Sequence, residues 1–83
     1  MNEATLRETV RSYIVSHLMR EPDYELADNE GIITESLIDS LDLAELGVFI
    51  EQEFDVYIPD PDLTVEKMDT LNLIVARVMR DLD

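Results

Sequence analysis

Cysteine is absent from this 83-residue chain, which excludes disulfides, thiolate metal ligands and thiol nucleophiles. Any thioester chemistry must therefore use a thiol brought from outside the polypeptide. Glycine is scarce: Gly31 and Gly47 stand alone, so there is no Gly-rich phosphate loop. The single histidine, His17, falls inside a helical pattern, and no G-x-S-x-G turn is present. Serine hydrolysis needs a base and an oxyanion site, so no catalytic residue is assigned. No apolar run approaches the roughly 18 residues that span a bilayer. Met1 is followed by Asn2, Glu3 and Ala4 rather than by a basic stretch and an apolar block. No signal peptide is expected, and the cytoplasm is the expected compartment.

Positive charge is missing from the middle of the chain. Between Glu21 and Glu66 lie fifteen acids and no lysine or arginine, and they dominate the net charge of −14. Such a field repels nucleic acid and anionic membranes and steers basic partners toward the chain. Crowded carboxylates should also repel one another in the compact state. That would raise their pKa values and let mild acid, salt or divalent cations stabilise the fold. No dedicated metal site is expected. Asp60-x-Asp62-x-Thr64-x-Glu66 begins like a calcium loop but has Val65 where glycine is needed and Leu71 where the bidentate acid is needed.

What is present is helical periodicity. The length and an apolar fraction of 46% suit one small domain, 1–83, with a single core. Leu6, Val10, Tyr13, Ile14 and Leu18 predict a first helix over 3–20, with Thr5 and Glu8 as a candidate capping box and Pro22 beyond its end. Residues 21–38 show no period and read as a long loop, in which Tyr24, Leu26, Ile32, Ile33 and Leu37 are spaced as anchors and Gly31 supplies a turn. Leu43, Leu46, Ile50 and Phe54 mark one face of a second helix over 40–54. A short helix is expected over 62–67, with Asp62 or Thr64 as cap, and a last one over 70–81, capped by Asp69 or Thr70. Met19, Met68 and Met79 sit at core spacing. The expected fold is all-α, a bundle of three longer helices and one short one.

Ser40 opens the second helix within Asp39-Ser40-Leu41-Asp42. A serine at a helix N-terminus is an ordinary cap, but Asp39 could take that role and leave the Ser40 hydroxyl free. Free N–H groups and the positive end of the helix dipole suit a phosphate ester there. Without an activating base, Ser40 reads as a residue that is acted upon. Ser36 is also followed by leucine but lacks the preceding aspartate.

The runs Leu37-Ile38-Asp39-Ser40-Leu41-Asp42-Leu43, Glu45-Leu46, Ile50-Glu51-Gln52-Glu53-Phe54 and Ile58-Pro59-Asp60 together resemble the acyl carrier protein family. Met68-Asp69-Thr70-Leu71-Asn72 is similar to discrete carriers of the D-alanyl and aminoacyl type. Leu37 stands where the family often has glycine, and Gly47 where a larger apolar residue is usual, which leaves the carrier subtype and partner fit open. The resemblance implies a four-helix carrier fold with a long first loop and a 4′-phosphopantetheine arm on Ser40, attached by a phosphopantetheinyl transferase that uses coenzyme A. It implies that Asp39 meets that transferase. Leu41, Asp42, Glu45, Val48 and Glu51 would form the face read by partners. Those partners would be an adenylating ligase or acyltransferase that loads the arm, then synthase or tailoring enzymes. The chain would be a monomer and no enzyme itself, serving fatty-acid, polyketide or nonribosomal-peptide biosynthesis. The rival reading is an unmodified acidic adaptor that binds a basic helix, with Ser40 merely a cap.

Overall fold

The structure, a computed structural model, describes residues 2–82; the ends of the expected domain, Met1 and Asp83, lie outside the described residues. Among the described residues there are four α-helices, α1 (Glu3–Tyr13), α2 (Asp42–Phe54), α3 (Val65–Met68) and α4 (Leu71–Asp81). Among the described residues there is no strand.

The start of α1 is capped by Asn2, whose Oδ1 accepts the Thr5 N–H at 2.8 Å. Thr5 is thus a donor inside the first turn rather than the expected cap. Beyond Tyr13 the helix widens into a π turn, Ile14–Leu18, in which the Met19 N–H reaches the Ile14 carbonyl at 2.8 Å. The neighbours Ile14 and Val15 in this turn are both buried. The chain then reverses at Arg20 in the left-handed region, φ 60°. Regular helix therefore stops short of the residue 20 expected from periodicity.

Leu6, Val10 and Ile14 of the first helix meet Leu43, Leu46 and Ile50 of α2 and Leu71, Ile74 and Val78 of α4 in one apolar core. Burying each such side chain contributes about 1.5–3 kcal/mol. α2 ends where Asp55 turns left-handed, φ 57°, and its N–H donates to the Glu51 carbonyl at 2.9 Å. Val56 and Ile58 are buried in the connection that follows. Pro61 falls in a 3₁₀ turn, Asp60–Asp62, separate from α3. Thr64 caps α3, accepting the Lys67 N–H at 3.3 Å, so the short helix begins later than residue 62. Asp62 is instead bonded to Lys67 at 2.8 Å and to Arg77 at 3.2 Å. Met68 is fully buried, as core spacing suggested.

The long first loop is fastened to the start of α4. Thr70 takes the cap there, accepting the Leu73 N–H at 3.1 Å. That leaves the neighbouring Asp69 for the loop: its Oδ1 accepts the N–H groups of Ile33 and Thr34 at 2.9 and 3.0 Å, and its Oδ2 accepts the Thr34 hydroxyl at 2.8 Å. Its carbonyl accepts the Ile32 N–H at 2.7 Å. Gly31 is needed for this approach, because a Cβ there would run into Thr34 Oγ1 and stand 2.9 Å from Asp69 Oδ2. Further along, Arg11 of α1 holds the Leu26 carbonyl and Asp28, and the Asp28 carbonyl accepts the Asn72 N–H at 2.9 Å. Leu26, Ile32 and Ile38 are buried, while Tyr24, Ile33 and Leu37 are partly so. The five expected anchors all pack on the core.

Where a carboxylate pKa is displaced, hydrogen-bonded partners and not charge crowding set the direction. Each displaced carboxylate pKa among the described residues lies below its ordinary value. Asp28 is lowered by the Arg11 hydrogen bond, Asp62 by Lys67 and then Arg77, Asp81 by Arg77, and Glu30 by the Tyr24 hydroxyl. For Asp69, partial burial works upward, but the Thr34 and Ile33 N–H groups outweigh it. A carboxylate held below the usual aspartate value of about 3.9 contributes stability that is complete above that value and lost as pH falls through the folded pKa. Acid should therefore weaken the loop fastening. Asp69→Ala is expected to destabilise the fold by about 1–3 kcal/mol at neutral pH and to speed amide exchange at Ile33 and Thr34. Thermal melts from pH 7 downward check the sign: below about pH 4 the native protein should lose stability more steeply than the variant.

Candidate functional site

The residues ahead of α2 settle which side chain caps it. Asp39 Oδ1 accepts the N–H groups of Leu41 and Asp42 at 2.9 and 3.2 Å, and Asp42 Oδ2 accepts the Asp39 N–H in return at 3.2 Å. This reciprocal box satisfies donors that a helix start leaves unpaired, and its negative charges sit at the favourable end of the dipole. Ser40 is therefore not the cap. Its side chain is exposed and makes no hydrogen bond among the described residues. Ser40 and Leu41 form a tight turn, with the Leu43 N–H reaching the Ser40 carbonyl at 3.3 Å, and regular helix starts at Asp42 instead of residue 40.

Beside Ser40 lies an open cavity of about 570 Å³ with Ile33, Leu37, Ile38 and Val65 on its walls and Ser36, Asp39 and Asp42 at its polar side. Ser36 is exposed but held in the left-handed region, φ 62°, at the end of a single loop turn. His17 is not near this cavity. It stacks on Tyr13 with ring centroids 5.0 Å apart, and Tyr13 stacks on Phe49 at 3.9 Å, in a groove between α1 and α2. Burial, then the nearby charges of Glu45 and Asp42, hold the Tyr13 hydroxyl above its usual pKa.

Of the residues expected on the partner face, Leu41 is 82% exposed and Val48 53% exposed, with Glu45 exposed between them. Their spacing puts all three on the side of α2 away from the core. Glu51 is exposed as well but lines a cleft on the α3 side. Asp42 departs from the set: it is half-buried and occupied by the capping box. Sequence reading missed Tyr57, 63% exposed in the same cleft as Val48 and Glu51. The run Val56-Tyr57-Ile58 is apolar throughout, so nothing in it marked Tyr57 as the exposed member; the structure buries its two neighbours.

The geometry defines a small helical domain that presents one unactivated serine beside an acidic helix dotted with exposed apolar side chains. No family model matches the chain. It is 37% identical over 71 residues to an acyl carrier protein of Zymomonas mobilis, covering 86% of this chain and 87% of that protein. It is 36% identical over 78 residues to an acyl carrier protein of Akkermansia muciniphila, covering 94% of each. An acyl carrier protein of Chlorobium phaeobacteroides is 34% identical over 85 residues, covering 96% of this chain and 99% of that protein. The chain belongs to the acyl carrier protein family. It is a carrier rather than an enzyme, and among its described residues no helix is long and apolar enough to cross a membrane.

The cap assignment has a direct check. Asp39→Ala should cost about 1 kcal/mol and raise amide exchange at Leu41 and Asp42, while Asp39→Ser should restore most of the loss. Denaturant melts of the two variants against the native protein read this out.

Proposed function

We propose that Ser40 carries a 4′-phosphopantetheine arm and that the chain is a discrete, monomeric carrier working in the cytoplasm. The observation that carries this reading is the free, exposed Ser40 hydroxyl, left without a partner because Asp39 caps the helix. The residues fit such a group: modification displaces no hydrogen bond, and open space lies beside the serine. The arm's thiol supplies the thioester chemistry that a chain without cysteine cannot. Asp39 Oδ1 is occupied by the cap, whereas its Oδ2 makes no hydrogen bond among the described residues and is available to the transferase. Leu41, Glu45, Val48 and Glu51 form the docking face, and Asp42 orients Ser40 through the box. The cargo is an acyl or aminoacyl intermediate of fatty-acid, polyketide or nonribosomal-peptide type. An adenylating ligase or acyltransferase loads it, and synthase or tailoring enzymes receive it.

Intact mass after co-expression with a broad-specificity phosphopantetheinyl transferase tests the assignment. The native protein should gain one phosphopantetheine and Ser40→Ala none, with stability changed by no more than about 0.5 kcal/mol. An arm mapped to Ser36, or no mass gain, as for an unmodified adaptor, defeats the reading.

The acids of α2 form no salt bridges among the described residues, so their field is free to steer partners. Glu45→Lys with Glu51→Lys should slow association with the transferase and flatten its salt dependence. Leu41→Ala should lower the modification rate with that salt dependence intact. Stopped-flow association over a salt series separates the two.

A further inference from the structure

Ser40, Ala44, Gly47 and Glu51 are spaced i, i+4, i+7 and i+11, which puts them along one flank of α2. At 1.5 Å per residue, Gly47 lies about 10 Å along the axis from Ser40. A chain tethered to Ser40 and following this flank meets Gly47 before the helix ends. There a cleft of about 180 Å³ opens between α2 and the segment leading into α3, lined in part by Ala44, Gly47, Tyr57, Ile58 and Leu63. Leu63 limits it. A Cβ added at Gly47 would stand 3.1 Å from Leu63 Cδ1 and 3.3 Å from Cδ2. The missing side chain lets the leucine sit on the helix backbone. Gly47 has a negative φ, so no backbone strain asks for glycine here, and glycine is a poor helix former. Close packing by Leu63 is the reason the position offers. Beneath it the core is filled by Leu46 and Ile50, both fully buried.

We propose that Leu63, seated in the gap left by Gly47, limits how deeply this carrier can bury its cargo and so selects short acyl groups over long fatty chains. This rests on the phosphopantetheine reading of Ser40. At about 180 Å³ and open to solvent, the cleft has room for a short acyl chain but not for a dodecanoyl tail. The other cavities do not extend it. The groove of Tyr13 and Phe49 lies on the opposite flank of α2, about 200° around the helix from Gly47. The cavity at Ser40 adjoins the attachment point and is bordered by Asp39 and Asp42.

The test uses the full chain loaded by a broad-specificity transferase from acetyl-, hexanoyl- and dodecanoyl-coenzyme A, with mass confirming each product. The readouts are thioester half-life toward hydroxylamine and melting temperature. Each methylene hidden from water shifts the buried-to-exposed ratio by about fourfold. Hexanoyl and dodecanoyl half-lives on the native chain should nevertheless agree within about twofold, because the added methylenes stay in solvent. Leu63→Ala, or the milder Leu63→Val, should lengthen the dodecanoyl half-life, by about tenfold for alanine, and leave acetyl unchanged. A native dodecanoyl half-life more than about tenfold above hexanoyl overturns the proposal, and this comparison needs no variant. It is also overturned if folded Leu63 variants, checked by circular dichroism, keep the two chains equal. If no mass is gained from any coenzyme A donor, the reading of Ser40 itself fails and this proposal falls with it.

Discussion

The carboxylate of Asp69 is the contact on which the rest of the architecture depends. A connection of about twenty residues between two helices has a large ordering cost, and here it contains no regular element to offset that cost. Asp69 binds the loop at Ile33 and Thr34 through both carboxylate oxygens, and its own carbonyl takes Ile32. With Ile32 fixed, its carbonyl accepts the Ile38 N–H at 2.9 Å. Ile38 is thereby set in the core immediately ahead of the Asp39 cap. The position of Ser40 is thus determined from a residue twenty-nine places further along the chain.

The distribution of charge follows the same division. Bases are confined to the flanking parts of the sequence, yet folding brings them inward at two places. Arg7 and Arg11 reach Asp28 at 3.4 and 2.6 Å, while Lys67 and Arg77 grip Asp62. Both places fasten connections between the longer helices. Four acids of α2, Asp42, Glu45, Glu51 and Glu53, form no such pairs among the described residues. Four of the six basic side chains thus hold connecting segments, and the negative field remains where Ser40 is displayed.

The parts of the fold readable from sequence were those governed by local periodicity. α4 repeats its apolar side chains at helical spacing, and Leu71, Ile74, Val75 and Val78 are all buried. The anchors of the long loop were legible as isolated hydrophobes in a polar stretch. What tied them down was not, because Asp69 lies far away in sequence and looked like a helix cap. The competition between Asp69 and Thr70 is decided by the loop that one of them must hold. Asp39 and Ser40 pose the same problem at α2, where reach to the N–H groups two and three residues ahead decides the outcome. The π turn after Tyr13 left no periodic trace, since Ile14 and Val15 also suit an ordinary helix. The expectation of raised carboxylate pKa values missed Asp28, Glu30 and Asp62, because counting charges along a sequence ignores which ones acquire hydrogen-bonded partners.

The freedom of the Ser40 side chain also determines where this protein can keep a record of its state. Its hydroxyl joins no network, and the capping box beside it is complete without it. Attachment at that oxygen would exchange no internal contact and would give the bundle no reason to rearrange. On the proposed reading, a loaded and an empty molecule would share one helical scaffold and differ only where the cargo lies. A partner that tells them apart would have to touch the appended group or the cleft it fills, while the rest of the helix surface would report only that a carrier is present.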